Sequence, residues 1–287
     1  RNFTYDFLSY PLQDNRENLI DFKQGDIFLG LDLSPIVISK VEFYKILKSF
    51  GVKTYFIIYD ILPIIHPEWW TENICEIHTK WLETVLNISD SVISISKAVS
   101  YEVKDWVNKK DIKKNIPLEY KYFHLGADVK NSMPSKGLLN DTNVVLDKLK
   151  SKISFLSVGT IEPRKGHKQT ILAFEKLWSK NIDVNLVIVG KLGWLMDDFA
   201  SKVRNHPERN KRLFWLEGIS DEYLEKVYET STCLIAASEG EGFGLPLIEA
   251  AQHKKPIIAR DIPVFREVAG EFAYYFENKN EPEVLVE

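Results

Sequence analysis

The decisive stretch runs Cys233-Leu234-Ile235-Ala236-Ala237-Ser238-Glu239-Gly240-Glu241-Gly242-Phe243-Gly244-Leu245-Pro246-Leu247-Ile248-Glu249-Ala250. Residues 233–237 are a short apolar run stopped by a turn, which reads as a buried strand. Residues 245–252, with Pro246 in the first turn, read as a helix. The three glycines between them let the backbone come close to a ligand. A helix that starts there aims unpaired N–H groups outward, and with the positive end of its dipole these favour a phosphate. Two carboxylates frame the turn, Glu241 inside it and Glu249 eight residues further on. With a diphosphate at the helix start, Glu249 is placed for ribose hydroxyls and Glu241 for a sugar. The plainer alternative is a Gly-rich turn with one solvated Glu and another on the helix surface, since such turns are common between strands and helices.

Outward from this stretch the same rhythm repeats. Strand candidates at 26–31, 54–59, 91–96 and 122–125, then at 153–158, 186–189, 213–216, 233–237 and 256–259, alternate with segments of helical period. Among the helices, 36–50 stops at Gly51 and 68–86 follows Pro67. The class is α/β, with parallel strands joined by crossover helices. The polar stretch from Lys130 to Asp141 has Pro134 and Gly137 and neither period, so it reads as the link between two domains. The expected division is 1–129 as one Rossmann-like domain, 130–150 as linker and 151–287 as a second. Two such domains face each other across a cleft. Ligands of open parallel sheets bind beyond the carboxyl ends of the strands, which directs attention to the loops at Gly159, Gly190, Gly218, Ser238 and Asp261.

Composition narrows the function. The 287 residues are 45% apolar and 27% charged, an ordinary globular mixture that excludes collagen, disordered and disulfide-scaffold classes. A net charge of −4, from 37 basic and 41 acidic side chains, gives no general attraction to nucleic acid or anionic lipid. Cys75 and Cys233 are far apart in apolar or helical surroundings and read as buried thiols in a reducing compartment. The longest apolar runs, at 54–59 and 184–189, are far short of the roughly 20 residues that span a bilayer. The chain opens at Arg1-Asn2-Phe3 in mid-pattern, so truncation at both ends is expected.

A second segment carries cations. Ser157-Val158-Gly159-Thr160-Ile161-Glu162-Pro163-Arg164-Lys165-Gly166-His167 again leads from strand to turn to helix. Parallel strands put Arg164 and Lys165 on the same edge as the Gly-rich turn, where they suit a diphosphate and its stabilisation as a leaving group. A basic helix start exposed to water is the alternative. No Asp-x-Asp occurs and no Cys or His pair has metal-ligand spacing, so no metal is expected and side-chain cations with the helix end must neutralise the phosphates.

These residues resemble a known family. The run from Gly159 to Gly166, the Glu241 to Glu249 spacing, Phe214-Trp215-Leu216-Glu217-Gly218-Ile219-Ser220-Asp221 and Arg260-Asp261-Ile262-Pro263-Val264-Phe265-Arg266-Glu267 are similar to the GT-B retaining glycosyltransferases of family GT4. The likeness covers the second half closely. Glu162-Pro163-Arg164-Lys165-Gly166 and Tyr59-Asp60-Ile61-Leu62-Pro63-Ile64-Ile65-His66-Pro67-Glu68-Trp69 further resemble bacterial polymannose O-antigen mannosyltransferases. The resemblance implies that Arg164 and Lys165 grip the donor diphosphate and, with Glu241, carry catalysis. It places Glu249 on the ribose, Glu241 with Gly242, Phe243, Gly244 and Leu245 on the transferred sugar, and Leu216, Gly218 and Ile219 on the base. Thr160 departs from the pattern, since many relatives carry an Arg there; Tyr59-Asp60 stands where many have His-Asp, leaving Asp60 or His66 to supply the acceptor-side contact.

The first half says less by itself. Asp60, His66, Trp69 and Trp70 follow a strand end and suit an acceptor wall, because rings stack on sugars and polar groups bind hydroxyls; a helix start with core tryptophans fits equally. Gly126-Ala127-Asp128 resembles the turn that ends the family's acceptor domain. Lys104, Lys109, Lys110, Lys113 and Lys114, beside Trp106, make a basic run that reads first as a solvated face and second as a contact for a membrane surface or lipid-linked phosphate. His206 and His253 read as surface residues.

The reading is a retaining hexosyltransferase that moves mannose from GDP-mannose to a lipid-linked O-antigen or related surface polysaccharide. Retention follows from the resemblance. With no evident nucleophile, front-face substitution is expected, the leaving phosphate taking the acceptor proton. Beyond the nucleotide sugar no cofactor is expected. The partners are the donor and a glycan acceptor, without nucleic acid, at the inner face of the bacterial plasma membrane in the cytoplasm; oligomeric state is left open. The rivals are another sugar-nucleotide enzyme, such as a dTDP-rhamnose transferase, an epimerase or a hydrolase, and a non-catalytic sugar-nucleotide or glycan-binding module. A dehydrogenase is disfavoured, as no Gly-x-Gly-x-x-Gly follows an early strand.

Overall fold

A computed structural model describes residues 21–110, 118–126 and 134–287. The opening segment at 1–20 and the expected features at Lys113, Lys114, Ala127, Asp128 and 130–133 lie outside the described residues. Two parallel sheets result. The first runs in chain order: β1 (Ile27–Gly30), β2 (Lys53–Ile58), β3 (Ser91–Ser94) and β4 (Glu119–Tyr122). In the second, β5 (Ser154–Val158), β6 (Asn185–Val189) and β7 (Leu213–Leu216) lie to one side. Then β8 (Cys233–Ala236), β9 (Ile257–Arg260) and β10 (Tyr274–Phe276) build out from the other edge of β5, in the order β10-β9-β8-β5-β6-β7.

The strands of the second sheet form where the apolar runs are. All five residues of Asn185–Val189 are buried, as expected for a strand covered by helices on both faces. Helices His167–Ser179 and Leu245–Gln252 pack on this sheet, and the cores on its two faces are centred on Leu186 and Phe174, and on Val187 and Phe265. The stretch 142–150, grouped with the linker above, is the helix Thr142–Lys150, whose Leu146 and Leu149 are buried in the second domain's core. In the first domain, Trp81, Leu82 and Val85 of helix Glu72–Ile88 pack with Phe56, Ile58 and Val92.

Three expectations are corrected. The strand placed at 122–125 is Glu119–Tyr122, an edge strand whose exposed Glu and Lys mask its period; the apolar residues after it lie beyond the sheet. The helix at 36–50 is broken into a 3₁₀ turn, Pro35–Ser39, and the helix Val41–Ser49, with the β-branched run Ile36-Val37-Ile38 in the tighter piece. The helix at 68–86 begins four residues late. Pro67–Trp69 forms one 3₁₀ turn, Trp70 is extended, and Thr71 precedes the helix Glu72–Ile88. No helix among the described residues is long and apolar enough to cross a membrane.

Candidate donor site between the domains

The order of the second sheet fixes where a ligand can enter. After β5 and after β8 the chain departs toward opposite ends of the sheet, so the loops 159–166 and 237–244 flank a crevice at the carboxyl edge. They touch back to back. Gly166 has φ +69°, and a Cβ there would lie 2.2 Å from the Ala237 carbonyl oxygen, so a side chain would force the loops apart. The N–H of Glu239 donates to the Arg164 carbonyl at 2.7 Å.

On this seam the charges expected from the sequence meet. Arg164 donates from Nη1 to Glu241 Oε2 at 2.7 Å and to the Gly240 carbonyl at 2.8 Å. Its Nη2 lies 2.6 Å from Glu162 Oε1. Lys165 Nζ reaches Glu241 Oε1 at 2.5 Å, and the Ser238 hydroxyl donates to the same oxygen at 2.8 Å. The side chains of Arg164, Lys165 and Glu241 are 15%, 13% and 12% exposed, so these pairs are shielded from water and salt. Burial pushes the Glu241 carboxyl up, but Lys165 and Arg164 outweigh it and hold it below the usual carboxylate range. For Glu162 burial wins over the same two cations, and its carboxyl is raised. The N–H groups of Gly242, Phe243 and Gly244 have no acceptor among the described residues. The seam thus clusters two cations on one carboxylate, and Ser157, Lys165, Ser238, Glu241, Gly244 and Leu247 line a small cavity there.

Glu162 and Arg260 escaped the sequence reading as site residues. Glu162 is 3% exposed and positions the Arg164 guanidinium; its neighbours in Glu162-Pro163-Arg164 were the available signal. Arg260 is fully buried and donates to the Ala237 carbonyl at 3.0 Å, to Gln169 Oε1 at 2.5 Å and to the Lys279 carbonyl at 2.7 Å, pinning the strand end that launches the Gly-rich turn. No sequence pattern marks an arginine held by carbonyls distant in the chain.

The residues expected at the base and ribose sit on the same edge. Leu216 closes β7, and Gly218 and Ile219 lead to Ser220, whose hydroxyl accepts from the Tyr223 N–H at the start of helix Asp221–Thr230. Leu245 is exposed at the first turn of its helix, and Glu249 Oε2 accepts from the Tyr228 hydroxyl at 2.7 Å. Tyr228 stacks flat on His253, with centroids 5.1 Å apart. His253 is therefore half-buried, not a surface residue; His206 is also partly covered, pairing with Glu175 at 3.0 Å and accepting from the Glu208 N–H at 3.1 Å. The two cysteines are unpaired, Cys233 buried and Cys75 half-buried.

The first domain closes over this edge. Ser96 donates to the Gly242 carbonyl at 2.8 Å, and Glu267 accepts from the N–H groups of Lys97 and Ala98 at 2.7 and 2.8 Å while facing His124 at 2.7 Å. Ile57, Ile95 and Phe243 form a small shared apolar contact. A Cβ on Gly242 would lie 2.3 Å from the Tyr59 carbonyl oxygen, so only glycine permits this approach. Asp60 enters the same neighbourhood. Its Oδ1 caps the Leu62 N–H at 3.0 Å, and its charge reaches Arg164 and Glu162. His66 is set apart, stacked on Trp69 and paired with Glu68 at 3.0 Å. Of the basic run, Lys104 lies over the rings of Tyr101 and Tyr120, Lys109 pairs with Asp105, and Trp106 is in the core. Among the described residues no three His, Cys, Asp or Glu side chains converge as a metal site would require.

With this geometry in hand, comparison with known proteins identifies the architecture. The family model for glycosyl transferases group 1 matches residues 142–287, which include both seam loops. The chain belongs to the group 1 glycosyltransferases. It is 43% identical over 277 residues to the serotype-specific mannosyltransferase WbdA of Escherichia coli, covering 94% of this chain and 34% of that protein. It is 25% identical over 224 residues to the O-antigen chain mannosyltransferase RfbU of Salmonella typhimurium, covering 78% and 56%. The chain therefore spans about a third of the length of the WbdA relatives it matches. Among solved structures it superposes on a sucrose-phosphate synthase from Thermosynechococcus elongatus with a TM-score of 0.67 at 18% identity, over 91% of this chain and 62% of that one. The fold is GT-B, as the resemblance in the second half implied.

Proposed function

We propose that this group 1 glycosyltransferase moves mannose from GDP-mannose onto a hydroxyl of a growing O-antigen glycan, with retention at the anomeric carbon. The observation that carries the proposal is the Arg164–Lys165–Glu241 cluster at the switch point of the second sheet. Its two cations suit the diphosphate. The free amides of 242–244 suit the phosphate oxygens or the transferred sugar, and Glu241 the sugar hydroxyls once the diphosphate has drawn the cations away. In this reading Glu249 takes the ribose, and Leu216, Gly218 and Ile219 the base. Mannose as the sugar is supported by the likeness to WbdA and RfbU.

The leaving group is a nucleoside diphosphate, and its developing charge is the main load on the barrier. Buried, preorganised cations meet that load better than water does, because they need no reorganisation as the bond breaks. Arg164 stays charged throughout: burial lowers its pKa, but Glu241 and Glu162 more than restore it. The acceptor hydroxyl attacks from the face the diphosphate leaves and passes its proton to a phosphate oxygen. No metal enters this scheme. A lipid-linked acceptor would bring the first domain, with Lys104, Lys109 and Lys110, to the inner membrane surface.

The test is a panel of GDP-mannose, UDP-glucose and dTDP-rhamnose with a synthetic α-mannotetraose acceptor. Mannosyl transfer from GDP-mannose alone, with an α-linked product by NMR, is expected. Transfer from another donor, or GDP binding without transfer by the full chain, would overturn it.

A further inference from the structure

The two carboxylates of the Gly-rich segment are held in different ways. Glu241 is paired with two cations, whereas among the described residues Glu249 has none, and its side-chain partner is the neutral hydroxyl of Tyr228 at 2.7 Å. A phenol that donates to a carboxylate fixes it without cancelling its charge, so the group stays a strong acceptor for further hydroxyls. That bond takes up Oε2. Oε1 accepts no hydrogen bond among the described residues and is not buried, so it meets water.

Tyr228 is held more firmly than the carboxylate it donates to. It is 2% exposed in the core of the second domain, and its ring lies flat on His253, with 1° between planes and centroids 5.1 Å apart. His253 ends the helix Leu245–Gln252 that carries Glu249, and its N–H donates to the Glu249 carbonyl at 3.1 Å, so phenol, imidazole and carboxylate form one closed unit. Burial, and then the charge of Glu249, push the phenol's pKa well up, which keeps it a donor. The unit joins the helix that leaves the base loop, Asp221–Thr230, to the helix that leaves the Gly-rich turn.

A tyrosine hydroxyl in a core needs a partner, but a backbone carbonyl meets that need, as for Tyr275, which donates to the carbonyls of Phe265 at 3.1 Å and Gly270 at 2.8 Å. A carboxylate with its second oxygen in water is more than packing requires. We infer that Tyr228 is a positioning residue for the donor: it fixes the Glu249 side chain so that Oε1 is presented to a ribose hydroxyl of the nucleotide, and His253 sets the plane of the phenol. The inference rests on the donor reading above, which gives Glu249 the ribose.

Calorimetric titration of the full chain with GDP and with 2′,3′-dideoxy-GDP, which lacks both ribose hydroxyls, tests it. The parent is expected to bind GDP about ten-fold tighter than the dideoxy nucleotide. Tyr228→Phe keeps the ring, its stack and its volume but cannot donate; it is expected to weaken GDP about five-fold, while dideoxy-GDP stays within about two-fold of the parent. In a Glu249→Ala background the same change is expected to cost GDP nothing further, because the two residues act through one contact. A Tyr228→Phe chain that binds GDP as the parent does, that loses both nucleotides equally, or that weakens GDP again when Glu249 is already gone would overturn the positioning role and leave Tyr228 as core packing. A parent that binds the two nucleotides alike would instead sink the assignment of Glu249 to the ribose, and the role of Tyr228 with it.

Discussion

The two sides of the seam handle buried charge in opposite ways. On the second domain's side the buried carboxylates of the donor cluster have cations, since Glu241 takes Arg164 and Lys165 and Glu162 takes Arg164 again. On the first domain's side Glu102 has an oxygen buried without a partner, and its carboxyl is pushed up by burial and then by another carboxylate, Asp60. The donor side is therefore held in shape before any ligand arrives, at the cost of an anion already sitting on its cations. The opposite side has charge still to be satisfied. Preorganisation and an open demand for a partner are divided between two domains.

The largest break in this comparison should come from Lys165→Ala. Removing one buried cation from the diphosphate site is expected to lower turnover about 10²–10³-fold, the usual loss for a preorganised charge-stabilising group. The far-UV spectrum should hardly move, while the melting temperature should fall, because the buried Glu241 then keeps Arg164 as its one cation. Steady-state transfer rates alongside thermal melts check it, and a turnover within a few-fold of the parent would remove Lys165 from the chemistry.

The next effect is on stability and belongs to the second domain. His167 is 1% exposed at the start of helix His167–Ser179, with Nε2 3.3 Å from the Thr160 carbonyl. Burial, with a smaller contribution from Lys165, pushes its pKa down to about 4. A depressed imidazole favours the neutral fold. Its contribution is complete above the ordinary histidine range near 6.5 and is lost as pH falls toward 4, by about 1.4 kcal/mol per pH unit at most. Melting temperature between pH 7 and pH 4.5 should fall in the parent and fall less in His167→Gln.

How much of this the sequence disclosed depended on where the partners lie. Strands β6 and β7 were legible because burial on both faces leaves an unbroken apolar run, whereas β4 was displaced because an edge strand carries charge. Tyr274–Phe276 escaped notice for a similar reason, being three residues at the other edge with Tyr274 largely exposed. Arg164, Lys165 and Glu241 could be assigned to one edge because parallel strands send their following loops the same way. That they grip one another could not, because the mutual pairing depends on side-chain reach. Glu267 is the clearest case. It bridges two helix-start N–H groups and His124 of the other domain, yet in the chain it is one more charge on the helix Pro263–Ala269.

A smaller effect sharpens the idea of an anion already in place. In Glu241→Gln the amide no longer neutralises Arg164 and Lys165, so a diphosphate meets two less encumbered cations. GDP is expected to bind about ten-fold tighter, while transfer slows because the sugar loses a charged acceptor. Calorimetry with GDP and initial rates with GDP-mannose separate the two. Weaker GDP binding would mean that Glu241 holds the cations in position instead of occupying their site.

The smallest expected change tests the first domain's side. Burial, with a further push from Asp60, raises the Glu102 carboxyl to about 7. Its folded pKa lies above the ordinary value, so its contribution to stability is complete below pH 4.5 and is lost as pH rises through 7, the reverse of His167. Glu102→Gln keeps the shape and cannot ionise. It should stabilise the chain by about 1 kcal/mol at pH 8, once the cost of burying an amide is set against the gain, and by much less at pH 5. Chemical denaturation of parent and variant at both pH values decides it. A variant equally or less stable at pH 8 would show that the carboxylate finds a partner when it ionises, and the contrast between the two sides of the seam would fail at the residue that defines it.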